Sequence, residues 1–220
     1  MPRVRVSPPV SWHGVILAGG VARRFGRDKV FARVGGRRLI DMAYASLAAA
    51  DGVSVLLGTP ERAMAAVPLL PTGVAAFADD HPGHGPMGGL ASALGRRPDR
   101  WAAALAADLP LVPAGWWPWL ADQHRDGAVA VVPRDGRGRW EPLAALYHGS
   151  LAGELTALMV RRERARLALQ PFLDELDEAG RVVVVDPSVM PTSALLNVNR
   201  PDDAAAVERA VRRGEGPTET

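Results

Sequence analysis

Short apolar runs rich in valine and alanine alternate along this chain with longer stretches of helical periodicity. That alternation predicts a parallel or mostly parallel sheet covered by helices. Strands are expected at 15–18, 53–58, 74–78, 102–107, 128–132, 143–147 and 182–185, and helices at 39–50, 61–67, 87–95, 114–125, 151–160, 164–176 and 202–213. Only residues 133–142 separate the strands at 128–132 and 143–147, too few for a helical crossover, so an antiparallel excursion is expected there. The pattern predicts a three-layer α/β domain over 12–212. Residues 1–11, with three prolines, read as an extended arm, and 213–220, RGEGPTET, read as a disordered tail with nothing to bury.

Composition narrows the chemistry. With 220 residues, 48% apolar and 23% charged, the chain is long enough for one well-filled core. It has no cysteine, which removes disulfides, thiolate metal sites, iron–sulfur clusters and cysteine nucleophiles together. A formal charge of +2 gives little support to nucleic acid as a partner. The first ten residues hold two arginines and three prolines where a signal peptide needs an apolar run, and no stretch of about 18 apolar residues occurs. A cytoplasmic chain without a membrane partner is therefore expected. Lys29 is the only lysine among 26 basic residues, leaving 26 − 1 = 25 arginines, and Asn197 and Asn199 are the only asparagines. In so biased a composition both are places to look for chemistry.

In open α/β sheets ligands bind beyond the carboxyl ends of strands. The first strand runs into Leu17-Ala18-Gly19-Gly20-Val21-Ala22-Arg23-Arg24-Phe25-Gly26-Arg27-Asp28-Lys29. Its glycines let backbone N–H groups approach an anion, and its arginines and lysine supply charge for a polyphosphate. The spacing fits neither G-x-G-x-x-G nor the Walker pattern. A glycine-rich surface turn with solvated arginines is the plainer reading.

The loop, as L-A-G-G-x-x-R-R-x-G-x-D-K, closely resembles the signature of the nucleotidyltransferases, and in particular of the molybdenum cofactor guanylyltransferases. Four later blocks keep the family's order: His81-Pro82-Gly83-His84-Gly85-Pro86-Met87-Gly88-Gly89-Leu90, Ala107-Asp108-Leu109-Pro110, Glu141-Pro142-Leu143-Ala144-Ala145-Leu146-Tyr147 and Asn197-Val198-Asn199-Arg200-Pro201-Asp202-Asp203. Together they span about residues 14 to 205. Two departures stand out. Leu56-Leu57-Gly58-Thr59 occurs where the family often has a base-contacting asparagine, and Arg200 replaces a Thr or Ser.

The resemblance implies a three-layer Rossmann-like nucleotidyltransferase fold, mostly parallel with helices on both faces, and a transfer of GMP from GTP to molybdopterin with loss of pyrophosphate. Lys29, Arg23 and Arg24, with the amides of Gly19 and Gly20, are expected on the triphosphate, and Leu17 and Ala18 are expected among the nucleotide-binding residues. Asp108 is expected to hold Mg2+, and its alternative is a turn cap. Asp79 is expected on the nucleotide, and Gly88 and Gly89 beside base or ribose. Asn197 and Asn199 are expected at the pterin, or Asn199 as a helix N-cap before Pro201. The arginine run at 161–166 reads as a solvated helix face, and Trp116-Trp117-Pro118-Trp119 as packing or a protein interface. Two further readings stay open: a CTP-using or sugar-phosphate transferase of the same fold, and an idle nucleotide-binding regulator docked on a molybdoenzyme or its chaperone.

Lys29→Arg provides the test. A guanidinium is planar, broader and longer than an ammonium, so the swap is expected to misplace the triphosphate by about 1 Å and lower turnover on the order of 100-fold with stability unchanged. Steady-state transfer assays decide it, and turnover within twofold of wild type would make the lone lysine a coding accident.

Overall fold

A computed structural model of the chain describes residues 10–19, 29–161 and 168–217, with backbone alone for Lys29 and Pro201. Among these residues the strands are β1 Trp12–Leu17, β2 Arg33–Val34, β3 Arg37–Arg38, β4 Val53–Leu56, β5 Ala75–Phe77, β6 Trp101–Ala106, β7 Ala130–Pro133, β8 Ala144–His148 and β9 Val182–Val185. The helices are α1 Leu39–Ser46, α2 Pro60–Ala66, α3 Gly85–Gly95, α4 Trp116–Asp122, α5 Leu151–Arg161, α6 Leu169–Glu178 and α7 Pro201–Arg212. Seven strands form one sheet in the order β5-β4-β1-β6-β8-β7-β9. β8 runs antiparallel to both of its neighbours, and all other pairings in that sheet are parallel. The expected antiparallel excursion is thus one strand, inserted between β6 and β7 after a turn in which Asp135 accepts the Arg137 and Arg139 amides at 2.9 Å each.

Alternation along the strands sorts side chains into two cores. Trp101, Ala103 and Leu105 of β6 join Ile16, Ile40, Trp117 and Leu120 on one face, while Ala102 and Ala104 join Met87, Leu90, Leu155 and Phe172 on the other. All six residues of β6 are buried, which explains an alanine-rich run without a polar face. The tryptophan cluster is packing: Trp116 Nε1 donates to the Ala144 carbonyl at 2.8 Å, and Trp117 Nε1 donates to Ser46 Oγ at 2.9 Å. No helix among the described residues is long and apolar enough to cross a membrane.

The structure corrects several boundaries. The β2–β3 hairpin has no strand-length apolar run to announce it, and its turn is made by Gly35 and Gly36 at φ +58° and +83°. Helix α1 ends at Ser46, short of the expected residue 50, and α4 starts at Trp116. Of the expected arm, Val10 packs on the first core and Ser11 Oγ donates to Asp51, while 1–9 lie outside the described residues. The reading of 213–220 as a tail with nothing to bury is corrected for 213–217. Glu215 accepts from Ser193 Oγ and Arg213 Nε, Arg37 donates to the Pro217 carbonyl at 3.2 Å, and Pro217 is buried. Of the arginine run, Arg161 closes α5 and 162–167 lie outside the described residues.

Two glycines at the start of α5 separate packing from propensity. A Cβ on Gly149 would stand 2.1 Å from the Arg97 carbonyl oxygen and 2.7 Å from the Pro98 backbone, whereas one on Gly153 meets nothing within 4 Å. Gly149→Ala is expected to lose about 1–3 kcal/mol as the turn is forced apart, and Gly153→Ala, inside the helix, to gain about 0.5–1 kcal/mol. Urea unfolding of both variants checks the opposite signs.

Candidate functional site

The chain winds outward from β1 through β4 to β5, then crosses back to place β6 on the other side of β1. At such a reversal the loops after the two central strands part, and a crevice opens beyond their carboxyl ends. A cavity of about 810 Å³ lies there. Ala18 and Gly19 after β1, Gly58 after β4, Asp79 after β5, Asp108 after β6, and Asn199 all line it. That size suits a nucleotide-sized ligand.

The loop after β1 starts from a fixed base. The Ala18 amide donates to the Leu56 carbonyl at 2.8 Å, and the Ala107 amide donates to the Leu17 carbonyl at 3.1 Å. Leu17, Ala18 and Gly19 line the cavity; Gly20, Arg23 and Arg24 lie outside the described residues. Lys29 opens a short 3-10 turn, Lys29–Phe31, whose next residue, Val30, is buried in the cavity wall.

The two adjacent aspartates after β5 are separated by their partners. Asp79 Oδ1 accepts from the His81 amide at 2.8 Å and from Ser92 Oγ at 2.7 Å, which holds the carboxylate at the cavity. Ser92 is buried in α3, accepts the Asp80 amide at 2.9 Å, and has the Gly88 carbonyl 2.8 Å away. A hydroxyl has one proton, and a carboxylate is the stronger acceptor, so Asp79 receives it. Asp80 instead pairs with Arg96 at 2.6 Å, and that guanidinium also lies over the Phe77 ring at 4.9 Å.

Asp108 is half-buried at the end of β6. Its carbonyl accepts the Val198 amide at 2.9 Å, so a segment 90 residues later in the chain is stitched beside it. Val198 is fully buried in a third core with Leu39, Met42, Leu111 and Val207. This anchor puts Asn199 in the cavity wall, while Asn197 is exposed and does not line it. The N-cap expectation for Asn199 is corrected. Arg200 is the N-cap of α7, and the Asp203 carboxylate accepts the amides of both Asn199 and Arg200 at 2.7 Å.

Gly88 also moves. A Cβ there would stand 2.5 Å from the His81 carbonyl, so this glycine serves the close approach of α3 to the preceding turn and does not line the cavity. Gly89 does line it, with its Cβ position 3.3 Å from Leu56 Cδ2. The block at 141–147 acts from beneath: Tyr147 OH donates to the Pro142 carbonyl at 2.8 Å and the Leu143 carbonyl accepts the Ala106 amide at 3.0 Å, seating Leu143 in the wall. Burial pushes the Tyr147 phenol well above its ordinary range and raises the Glu141 carboxyl. Sequence reasoning passed over Thr59, Pro82 and Arg62 as wall residues; the first two are turn residues, and Arg62 is one arginine among many. Among the described residues no cluster of three or more His, Asp or Glu is arranged to hold a metal, so a cation here would rest on few protein ligands and on ligand oxygens.

The family model described as "MobA-like NTP transferase domain" matches residues 14–185. A Deinococcus radiodurans protein named "Probable molybdenum cofactor guanylyltransferase" is 33% identical over 190 residues, 86% of this chain and 90% of that one. A Haloferax mediterranei protein of the same name is 35% identical over 200 residues, 88% and 91% of the two chains. Among solved structures, molybdopterin-guanine dinucleotide biosynthesis protein A from Archaeoglobus fulgidus shares the fold with a TM-score of 0.75 at 23% identity, covering 91% of this chain and 99% of that one. A Thermus thermophilus 2-C-methyl-D-erythritol 4-phosphate cytidylyltransferase shares it with a TM-score of 0.58 at 18% identity, covering 90% and 98%.

Ser92→Ala removes the hydroxyl that orients Asp79 and leaves the Asp80 amide without its acceptor. A loss of about 1–3 kcal/mol is expected by urea unfolding. An unchanged midpoint would show that the His81 amide alone holds the turn.

Proposed function

Because this chain belongs to the MobA-like NTP transferase domain family, a family of nucleotidyltransferases, we propose that it transfers GMP from GTP to molybdopterin. The observation that carries the reading is the meeting of Gly19, Asp79, Asp108 and Asn199 around one cavity at the winding reversal. A phosphate oxygen of the pterin attacks the α-phosphorus of GTP. The new P–O bond forms as the bond to the β-phosphate oxygen breaks, and pyrophosphate leaves. A phosphate oxyanion is already a nucleophile near neutral pH, so the chain needs no general base.

In this reading Lys29, Arg23 and Arg24, with the amides of Gly19 and Gly20, bind the triphosphate and offset its charge. Asp79, oriented by Ser92, holds the nucleoside. Asn199 faces the acceptor and Asp108 faces the reacting phosphates. One half-buried carboxylate at a strand end, with no acidic cluster beside it among the described residues, fits a magnesium ion that keeps waters and takes phosphate oxygens. Asp108 would hold it, and such an ion, when bound, offsets charge on the reacting phosphates. The product dinucleotide would pass to a molybdoenzyme or its chaperone.

GTP with magnesium at 100 times its dissociation constant is expected to stabilise the protein by about 2.7 kcal/mol, read by thermal shift against CTP, ATP and UTP. Stabilisation by CTP in its place would reassign the base, and by none of the four would sink the reading. Asp108→Asn is expected to fold normally and to lose on the order of 100-fold or more in pyrophosphate release. Wild-type turnover in that variant would leave Asp108 as a turn cap.

A further inference from the structure

The turn from β4 into α2 reaches back onto the loop after β1. Gly58 adopts φ +73°, and a Cβ there would stand 3.2 Å from Arg62 Nη1 and 3.3 Å from the Gly19 carbonyl oxygen. Only glycine leaves room for this crossing and takes that conformation without strain. Thr59 caps α2 by accepting the Arg62 amide at 3.3 Å, which sets where the Arg62 side chain starts. From there the guanidinium runs along the cavity wall and forks. Nη2 donates to the Ala18 carbonyl at 3.2 Å and Nη1 donates to the Gly19 carbonyl at 3.4 Å.

We propose that Arg62 is the positioning residue for the start of the glycine-rich loop, holding the Ala18 and Gly19 carbonyls so that a nucleotide meets these two residues already in place. A trans peptide sends its N–H opposite to its C=O, so gripping the Ala18 carbonyl also sets the Gly19 amide and the direction in which the chain leaves β1. Without the grip, that backbone is ordered only when ligand binds, and affinity falls. Arg62 stands on the β4 side of β1 and Asp108 on the β6 side. A bound nucleotide orders that backbone in either case, so the loss falls on nucleotide binding and the bound geometry at the reacting phosphates is kept. The fork also explains why arginine is needed: two carbonyls on successive residues accept from two nitrogens of one plane, which a single ammonium cannot reproduce.

The functional half of this inference rests on the GTP reading, and the loop half does not. The test uses the full chain as wild type, Arg62→Met and Arg62→Lys. Steady-state transfer gives KM for GTP and kcat; hydrogen exchange without nucleotide follows the Ala18 amide, which the Leu56 carbonyl protects. Both variants are expected to raise KM about tenfold with kcat within twofold, and both to speed Ala18 exchange at least fivefold. Wild-type KM in Arg62→Lys beside a raised KM in Arg62→Met would mean that charge alone matters and overturn the clamp. Unchanged exchange in both variants would overturn it as well. If wild type binds no nucleotide while the variants still speed exchange, the clamp stands and the GTP reading falls.

Discussion

The parallel pairing of β1 with β6 is the interaction on which the rest of the site depends. Six residue pairs, from Trp12 with Trp101 to Leu17 with Ala106, lock the two strands in register, and the Ala107 amide then closes on the Leu17 carbonyl. The glycine-rich loop and Asp108 therefore begin from adjacent points on one sheet edge. A slip of one residue would send Ala103 and Leu105 to the wrong face and carry Asp108 with them. Burial enforces the register, because every residue of β6 is enclosed between two helical layers.

A second constraint closes the cavity from the other end of the chain. The Val198 side chain fills the third core, so its backbone has to lie against the loop after β6, and its amide finds the Asp108 carbonyl. Asn199 follows from that apolar anchor. The Asp203 carboxylate, taking two successive amides at the start of α7, stops the segment from sliding along the helix axis. The apolar residue between the two asparagines thus does the structural work, and one of the two polar ones is left facing the cavity.

The polar groups of the wall are few and individually held. Asp79 is oriented by a buried hydroxyl and a backbone amide, Asp80 is drawn off by Arg96, and the Ala18 and Gly19 carbonyls are gripped by Arg62. Ser92 and Arg96 act from α3 and its C-terminal end, and Arg62 acts from the first turn of α2. Preorganisation of this kind lets binding energy go to the ligand and not to ordering the protein. Removal of one partner should accordingly loosen a local segment while the two main cores stay intact.

What the sequence determined by itself was local and periodic. The uninterrupted apolar run at 102–107 and the valine-rich runs at 53–58 and 182–185 announced a buried sheet, because a strand covered on both faces has no polar side. The blocks around Gly19, Asp79 and Asp108 announced strand ends, because glycine, proline and aspartate punctuate where a buried run stops. Only the tertiary structure decided the rest. The placement of β8 between β6 and β7, the choice of Gly89 over Gly88 and of Asn199 over Asn197, and the docking of 213–217 depend on strand order and on backbone bonds between residues far apart in the chain. Arg62 is the plainest case. Nothing local distinguishes it among 25 arginines, since its partners are two carbonyls 43 and 44 residues earlier in the chain, and only the side-by-side packing of β4 and β1 brings them within its reach.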